Sequence, residues 1–200
     1  MTERPILFSA PMVRAILDGK KTQTRRAVKP QPTAKNFCPT TGTLIRPQHR
    51  MTPDLLIEWE SPFGQPGDRL WVRETFSEFD TLNGMVCWYK AESDDPDYWH
   101  NVTWRPSIHM PRRLSRITLE ITGIRVERLQ EISEADAIAE GLYQETMPGT
   151  AAALWRYAPG SDWYSHPVQC YRALWEYING PGSWDVNPWV WVIEFKRVKP

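Results

Sequence analysis

From Arg116 onward, apolar Ile117, Leu119 and Ile121 alternate with polar Thr118, Glu120 and Thr122. A period of two is what an extended strand uses to separate a buried face from a wet one, so this stretch demands a sheet with a core on one side. The chain closes on a second strand, Trp189–Val198, which is apolar on both faces as far as Ile193. Short helices are expected as well. Met12, Val13, Ile16 and Leu17 recur at helical spacing and stop at Gly19, a residue that tolerates the left-handed dihedrals of a helix terminus. Ser133-Glu134-Ala135-Asp136 resembles a capping box with Asp in place of Glu. It leads into a helix predicted to bury Ala135, Ile138, Ala139 and Leu142 and to end at Gly141 or shortly after. A third helix follows His166-Pro167, with Val168, Tyr171, Leu174, Trp175 and Ile178 on one face and Gly180-Pro181-Gly182 as its stop.

Further strands are expected at Arg69–Arg73, after the turn at 64–68, and at 85–91. Strands separated by short helices without a βαβ rhythm favour an α+β mixed barrel over a doubly wound sheet. Residues 28–53, punctuated by five prolines, and residues 92–104 read as surface excursions. With 200 residues and 41% hydrophobic content, 11 Trp among them, the chain suits one domain over 1–200. No apolar run reaches the roughly 18 residues needed to cross a bilayer, and no cleavable leader opens the sequence, so a cytoplasmic protein with no membrane partner is expected. Cys38, Cys87 and Cys170 form no C-x-x-C pair and read as reduced structural thiols.

The chain carries 24 basic and 24 acidic side chains, which disfavours binding to polyanions through bulk charge. Local charge is different. Between Asp18 and Asp54 lie Lys20, Lys21, Arg25, Arg26, Lys29, Lys35, Arg46 and Arg50 with no acidic residue among them, which predicts a positive lobe. A Gly-rich phosphate loop, an H-E-x-x-H pair and a G-x-S-x-G elbow are all missing from the sequence, and His49, His100, His109 and His166 are scattered, so neither a metal nor a cofactor is expected.

Two segments concentrate usable chemistry. In Gly19-Lys20-Lys21-Thr22-Gln23-Thr24-Arg25-Arg26, strict strand alternation would turn Lys21 and Thr24 to opposite sides, so they meet only if the chain bends. A Thr hydroxyl needs a base to become a nucleophile, and a Lys serves as one when burial or nearby cations such as Lys20, Arg25 and Arg26 lower its pKa. The same two residues also read as an ordinary exposed Lys and a strand Thr. In the second segment, Trp104-Arg105-Pro106-Ser107-Ile108-His109-Met110-Pro111-Arg112-Arg113, prolines flank Ser107 and His109 among three Arg. That composition suits either a stiff loop touching phosphate and a base or a plain connector into the strand at Ile117. Trp71, Trp99 and Trp104 are the stacking candidates; Trp175, Trp189 and Trp191 lie on apolar faces.

The order helix, Gly-x-Lys-Thr-x-Thr-x-Arg, Pro-Gly-Asp-x-Leu-x-Val, long strand, Ser-Glu-started helix and terminal Val-Ile-Glu-Phe strand resembles the ASCH domain of the PUA-like superfamily. Pro-Gly-Asp-Arg-Leu-Trp-Val-Arg-Glu-Thr-Phe (66–76), Pro-Ser-Ile-His-Met-Pro-Arg (106–112) and Asn-Gly-Pro-Gly-Ser-Trp-Asp (179–185) are similar to the long ASCH proteins of bacteriophages and prophages. The resemblance implies a PUA-like mixed β-barrel with short peripheral helices, a cleft for RNA or nucleosides, and insertions near 28–60, 77–112 and 143–166. It also implies a cytoplasmic setting in a bacterial host cell. A small bacterial member of the family hydrolyses N(4)-acetylcytidine with a Lys, a Thr and a Glu, which by motif fall on Lys21, Thr24 and Glu140 here. The implied roles are attack on the acyl carbonyl by Thr24, proton transfer by Lys21, and orientation of Lys21 or binding of the base by Glu140. Arg25 or Arg26 would stabilise the oxyanion. Lys20, Arg25, Arg26, Trp71, Trp104, Ser107, His109 and Arg112 are the expected substrate contacts. The partner would be a nucleoside, RNA or a modified nucleic acid. The competing readings are a binding module for RNA or modified nucleic acid without turnover, and a ribonuclease using the same basic cleft.

Overall fold

A computed structural model of the protein describes residues 1–33, 60–82, 84–92, 101–146 and 153–198. Nine strands and three α-helices occur among them: β1 (Glu3–Leu7), α1 (Ala10–Leu17), β2 (Gln23–Ala27), β3 (Arg69–Arg73), β4 (Phe76–Thr81), β5 (Gly84–Tyr89), β6 (Thr118–Arg128), α2 (Glu134–Ala139), β7 (Tyr143–Thr146), β8 (Ala153–Arg156), α3 (Pro167–Asn179) and β9 (Trp189–Val198). Five strands form one sheet in the order β1-β3-β6-β9-β2, with β4-β5 and β7-β8 as separate hairpins. Only β1 and β3 run parallel, because α1 and β2 intervene before the chain returns; β6, β9 and β2 pair antiparallel to their neighbours. The protein is thus α+β, with a strand-dominated centre. No helix among the described residues is long and apolar enough to cross a membrane.

The sheet is buried on both faces at β9, and alternation divides its residues. Trp191, Ile193 and Phe195 join Ile6, Leu70, Val72, Leu119 and Ile121 under Val13 and Ile16 of α1. Val190 and Val192 turn the other way, into a core with Leu129, Ala137, Tyr171, Leu174 and Trp175 under α2 and α3. That is why β9 reads as apolar on both sides in the sequence. The two edge strands β1 and β2 are joined at one end by a side chain: Arg26 Nη2 donates to the Leu7 carbonyl at 2.6 Å.

Several sequence expectations need correction. The apolar face predicted for α2 holds only in part: Leu142 is buried and Ala139 half-buried. Ala137 is its fully buried residue, whereas Ala135 and Ile138 are exposed. With six residues the helix is too short for a reliable period, and its orientation is set by what its C-terminal end touches. The strand expected at 85–91 is β5 with a 3-10 turn at Lys90–Glu92 after it. The opening strand β1 and hairpin partner β4 were not anticipated, and residues 143–166 contain the hairpin β7-β8. The Ser133 cap is as expected: its Oγ accepts from the Asp136 N–H at 3.1 Å. The expected excursion at 28–53 lies almost wholly outside the described residues, as do Cys38, Trp99, Lys35, Arg46 and Arg50. Cys87 and Cys170 are free thiols.

Two glycines position the chain for the site. Gly19 (φ 73°) turns it out of α1, and the N–H groups of Lys20 and Lys21 both donate to the Ala15 carbonyl at 2.8 and 2.9 Å. Gly141 (φ 94°) ends α2 against that turn; a Cβ on it would lie 2.8 Å from the Cβ atoms of Ala15 and Lys21. Gly141→Ala therefore strains the backbone and forces α2 away from the Lys21 turn. Chemical denaturation should register about 1–3 kcal/mol of lost stability.

Candidate functional site

Lys21 stands just ahead of β2, in an isolated bridge with Glu140, the residue that caps α2. The bend at Gly19 removes it from the alternation of β2 that the sequence reading applied to it. Its Nζ donates to Glu140 Oε2 at 2.7 Å and to the Glu140 carbonyl at 2.8 Å. Both side chains are buried, with 0% of Lys21 and 3% of Glu140 exposed. The reading of Lys21 as an ordinary exposed lysine fails on that burial. Burial pushes its pKa down; Glu140 pulls it back up, and Arg26 and Arg25 add to the lowering. The net direction is below the usual lysine range, so proton loss is easier than for a lysine in water.

Arg25 lies on the strand face opposite Thr24 and is equally enclosed. Its guanidinium reaches Glu127 Oε1 through Nη2 at 2.6 Å, Asp136 Oδ2 at 3.1 Å and Glu140 Oε1 through Nη1 at 3.2 Å. Arg125 extends the cluster to Glu127 and Asp136, each at 3.0 Å, and pairs with Glu194. The Glu140 carboxylate is therefore shared between Lys21 and Arg25, one oxygen each. Burial works to raise the Asp136 pKa, but Arg25 and Arg125 outweigh it and hold the carboxyl below its ordinary value. Burial first, and then the Glu140 charge, push the Tyr171 phenol well up, so it stays a neutral hydroxyl against the Arg25 guanidinium.

Part of the predicted positive lobe is thus neutralised inside the fold. Within 19–26, Lys20 is exposed; it lies 3.9 Å from Asp18 and over the Tyr143 ring. Arg26 is half-buried, over the Phe8 ring, and its Nε has no hydrogen-bond partner among the described residues. Thr24 is 3% exposed and borders a cavity of 60 Å³ together with Arg25, Arg26, Glu140, Tyr171 and Trp175. Lys21 is not part of that lining; it meets the cavity through Glu140, whose carboxylate it holds. The structure brings Lys21 to Glu140, and Glu140 to the cavity that Thr24 shares.

The second candidate segment sits elsewhere. Trp71 is on β3, its ring flanked by the guanidinium groups of Arg73 and Arg112 at 5.2 and 6.0 Å. Ser107 and His109 form a 3-10 turn beside it, and Arg73 donates to the carbonyls of Ile108 and Met110. Arg112 also pairs with Glu3 at 3.0 Å, and Trp104 is half-buried one residue before Arg105, whose backbone bridges Phe76. Along the hydrogen-bonded order β6 and β9 stand between β3 and β2, but β1 connects them on the other side: Leu7 pairs with Arg73 of β3, and its carbonyl accepts from Arg26 of β2. Trp71, Trp104, Ser107, His109 and Arg112 are not among the described residues that line the cavity bordered by Thr24 and Glu140.

Sequence reasoning missed Glu127, Asp136, Arg125 and Tyr171. Glu127 carried no usable signal, because a register shift between Ile121 and Gly123 breaks the 117–122 alternation before it reaches that position. Among the described residues no three His, Cys, Asp or Glu side chains are grouped to hold a metal ion. Glu140→Ala leaves Lys21 and Arg25 as buried cations without their shared counter-ion. The expected loss is about 3–5 kcal/mol in denaturant unfolding. Glu145→Ala, which removes an exposed partner of Arg156, should cost less than about 1 kcal/mol.

No family model, characterised protein or solved structure matches this chain, so its functional reading rests on the residues themselves.

Proposed function

We propose that the protein is an amidohydrolase of the ASCH type, with a PUA-like barrel as its fold. Its substrate is an acylated exocyclic amine of cytidine or a similar modified base, met in the cytoplasm. The observation that carries this reading is one coincidence at the β2 edge. A desolvated lysine, a carboxylate that fixes its Nζ, and a threonine bordering the same cavity as that carboxylate occur together. A lysine acts as a base only when neutral, and burial favours the neutral form.

Thr24 Oγ bonds to the acyl carbonyl carbon as its proton passes to Lys21 Nζ. Lys21 returns that proton to the amine nitrogen as the C–N bond breaks and the free base departs. Water then attacks the threonyl ester, releasing the carboxylic acid and restoring the hydroxyl. Glu140 acts as a positioning residue, gripping Nζ through both its carboxylate and its main-chain oxygen. Arg25, committed to Glu127, Asp136 and Glu140, keeps that carboxylate in place instead of binding the oxyanion.

A second reading, recognition of RNA or modified nucleic acid without turnover, draws support from Trp71 between Arg73 and Arg112. Ionic strength separates the two. Polymer binding weakens steeply with salt, whereas turnover of a neutral nucleoside does not.

Purified protein incubated with N(4)-acylated cytidine should release cytidine, with kcat lowered on the order of 10²- to 10⁴-fold by Thr24→Val and by Lys21→Met. Hydrolysis that survives both substitutions removes these residues from the chemistry. The rate, kcat/KM, should rise with pH along a limb set by Lys21, with its midpoint below the ordinary lysine range. Glu140→Gln deletes the charge that raises the Lys21 pKa, so the limb should move to lower pH. A limb that stays in place or moves upward contradicts the assignment of Lys21 as base.

A further inference from the structure

The cavity beside β2 is too small to be a whole nucleoside site. Its 60 Å³ is well short of the roughly 300–1,000 Å³ typical of small-molecule sites, so it takes only part of such a ligand. A second pocket of 300 Å³ adjoins it, and the two share Met12, Leu174 and Ile178 as common walls. That volume lies at the low end of the roughly 300–1,000 Å³ typical of small-molecule sites. Tyr157 and Tyr177 form its aromatic side, with ring centroids 5.9 Å apart and planes inclined at 34°. Tyr177 is 77% exposed, leaving ring surface open for stacking. Among the described residues that line this pocket there is no Asp, Glu, Lys, Arg or His.

The register of β2 adds a third observation. The Thr22 carbonyl accepts from Phe195 and the Val28 N–H donates to the Trp189 carbonyl, a register in which Thr24 and Arg26 between them turn their main chain toward β9. The N–H groups of Arg25 and Ala27 consequently point off the free edge of the sheet. Both residues line the small cavity. Backbone donors at a sheet edge suit an acyl oxygen that gains negative charge during attack.

We propose that the paired pockets hold an N-acylated planar heterocycle in a single orientation. The acyl carbonyl enters the small cavity beside Thr24, against the Arg25 and Ala27 N–H groups, and the ring lies in the outer pocket, stacked on the Tyr157–Tyr177 wall. The inward orientation of the acyl group rests on the hydrolase reading above; occupation of the outer pocket by the ring does not require turnover. The uncharged lining selects a nucleoside over its phosphates, and the small cavity limits the acyl group by size.

Two measurements test this. In the first, cytidine is titrated calorimetrically into the wild-type protein, Tyr177→Ala and Ile178→Trp, the last filling the wall common to both pockets. Tyr177→Ala should weaken binding on the order of 10-fold, and Ile178→Trp should abolish it. Cytidine 5′-monophosphate should bind no more tightly than cytidine. Unchanged cytidine binding in both variants, no binding by the wild type, or much tighter and salt-sensitive binding of the monophosphate overturns the pocket assignment, whatever the hydrolytic result. In the second, N(4)-acetyl- and N(4)-benzoylcytidine are compared as substrates. The wild type should favour acetyl by about 10-fold or more in kcat/KM, and Leu174→Ala should narrow that ratio. Equal rates for both acyl groups overturn the inward orientation. Cytidine binding that depends on Tyr177, with neither acylcytidine hydrolysed, supports the ring site and overturns the hydrolase reading alone.

Discussion

The interaction on which the local architecture turns is the shared Glu140 carboxylate, one oxygen on Lys21 and the other on Arg25. Three ionised groups taken out of water carry a large desolvation cost, and their mutual attraction offsets it only where geometry is close and every oxygen is used. Here those conditions hold. Each Glu140 oxygen has a cation, Lys21 has a second acceptor in the Glu140 carbonyl, and Arg25 has Glu127 and Asp136 besides. The arrangement ties the end of α2 to the strand edge at β2. Gly141 makes it sterically feasible, because any side chain there would occupy the space that Ala15 and Lys21 fill.

A hydrophobic contact could hold α2 in place with less desolvation, which makes the buried charges informative. Nothing about the packing of Ala137 or Leu142 requires a lysine at position 21. What the cluster provides is a lysine whose proton is loosened by burial and whose Nζ is held by two bonds, beside a cavity with a threonine on its wall. Preorganisation of this kind is what proton transfer in a dry site asks for. The strand edge contributes as well, since an antiparallel edge turns every second N–H away from its neighbour, and Arg25 and Ala27, which are turned so in β2, line the cavity.

The elements that follow from period and punctuation were legible in the sequence. The alternation at 117–122 marks the start of β6, the two-sided apolarity of 189–193 marks β9, and Gly19, Ser133 and Gly180 mark helix boundaries. Lys21, Thr24 and Glu140 were singled out together only by the family resemblance, and no local pattern paired Lys21 with Glu140. Glu127, Asp136 and Arg125 were not singled out at all, because an acidic residue on a strand or a first helical turn looks the same whether it faces water or a buried guanidinium. The face of α2 was partly misread for a related reason. Six residues define no period, and contacts at its end determined which side was buried.

By itself, then, the sequence determined that this chain builds a strand-rich α+β protein with short covering helices, and that 19–26 is chemically unusual. Local periodicity and turn chemistry depend only on neighbours within a few positions, so they survive in one dimension. Tertiary structure alone decided that the basic strip partly turns inward, that Trp71 and Arg112 lie outside the lining of the cavity beside it, and that Lys21 faces Glu140 across 119 positions of chain. Charge pairing and desolvation act through space at distances of a few ångströms, and no spacing along the chain encodes which carboxylate will arrive.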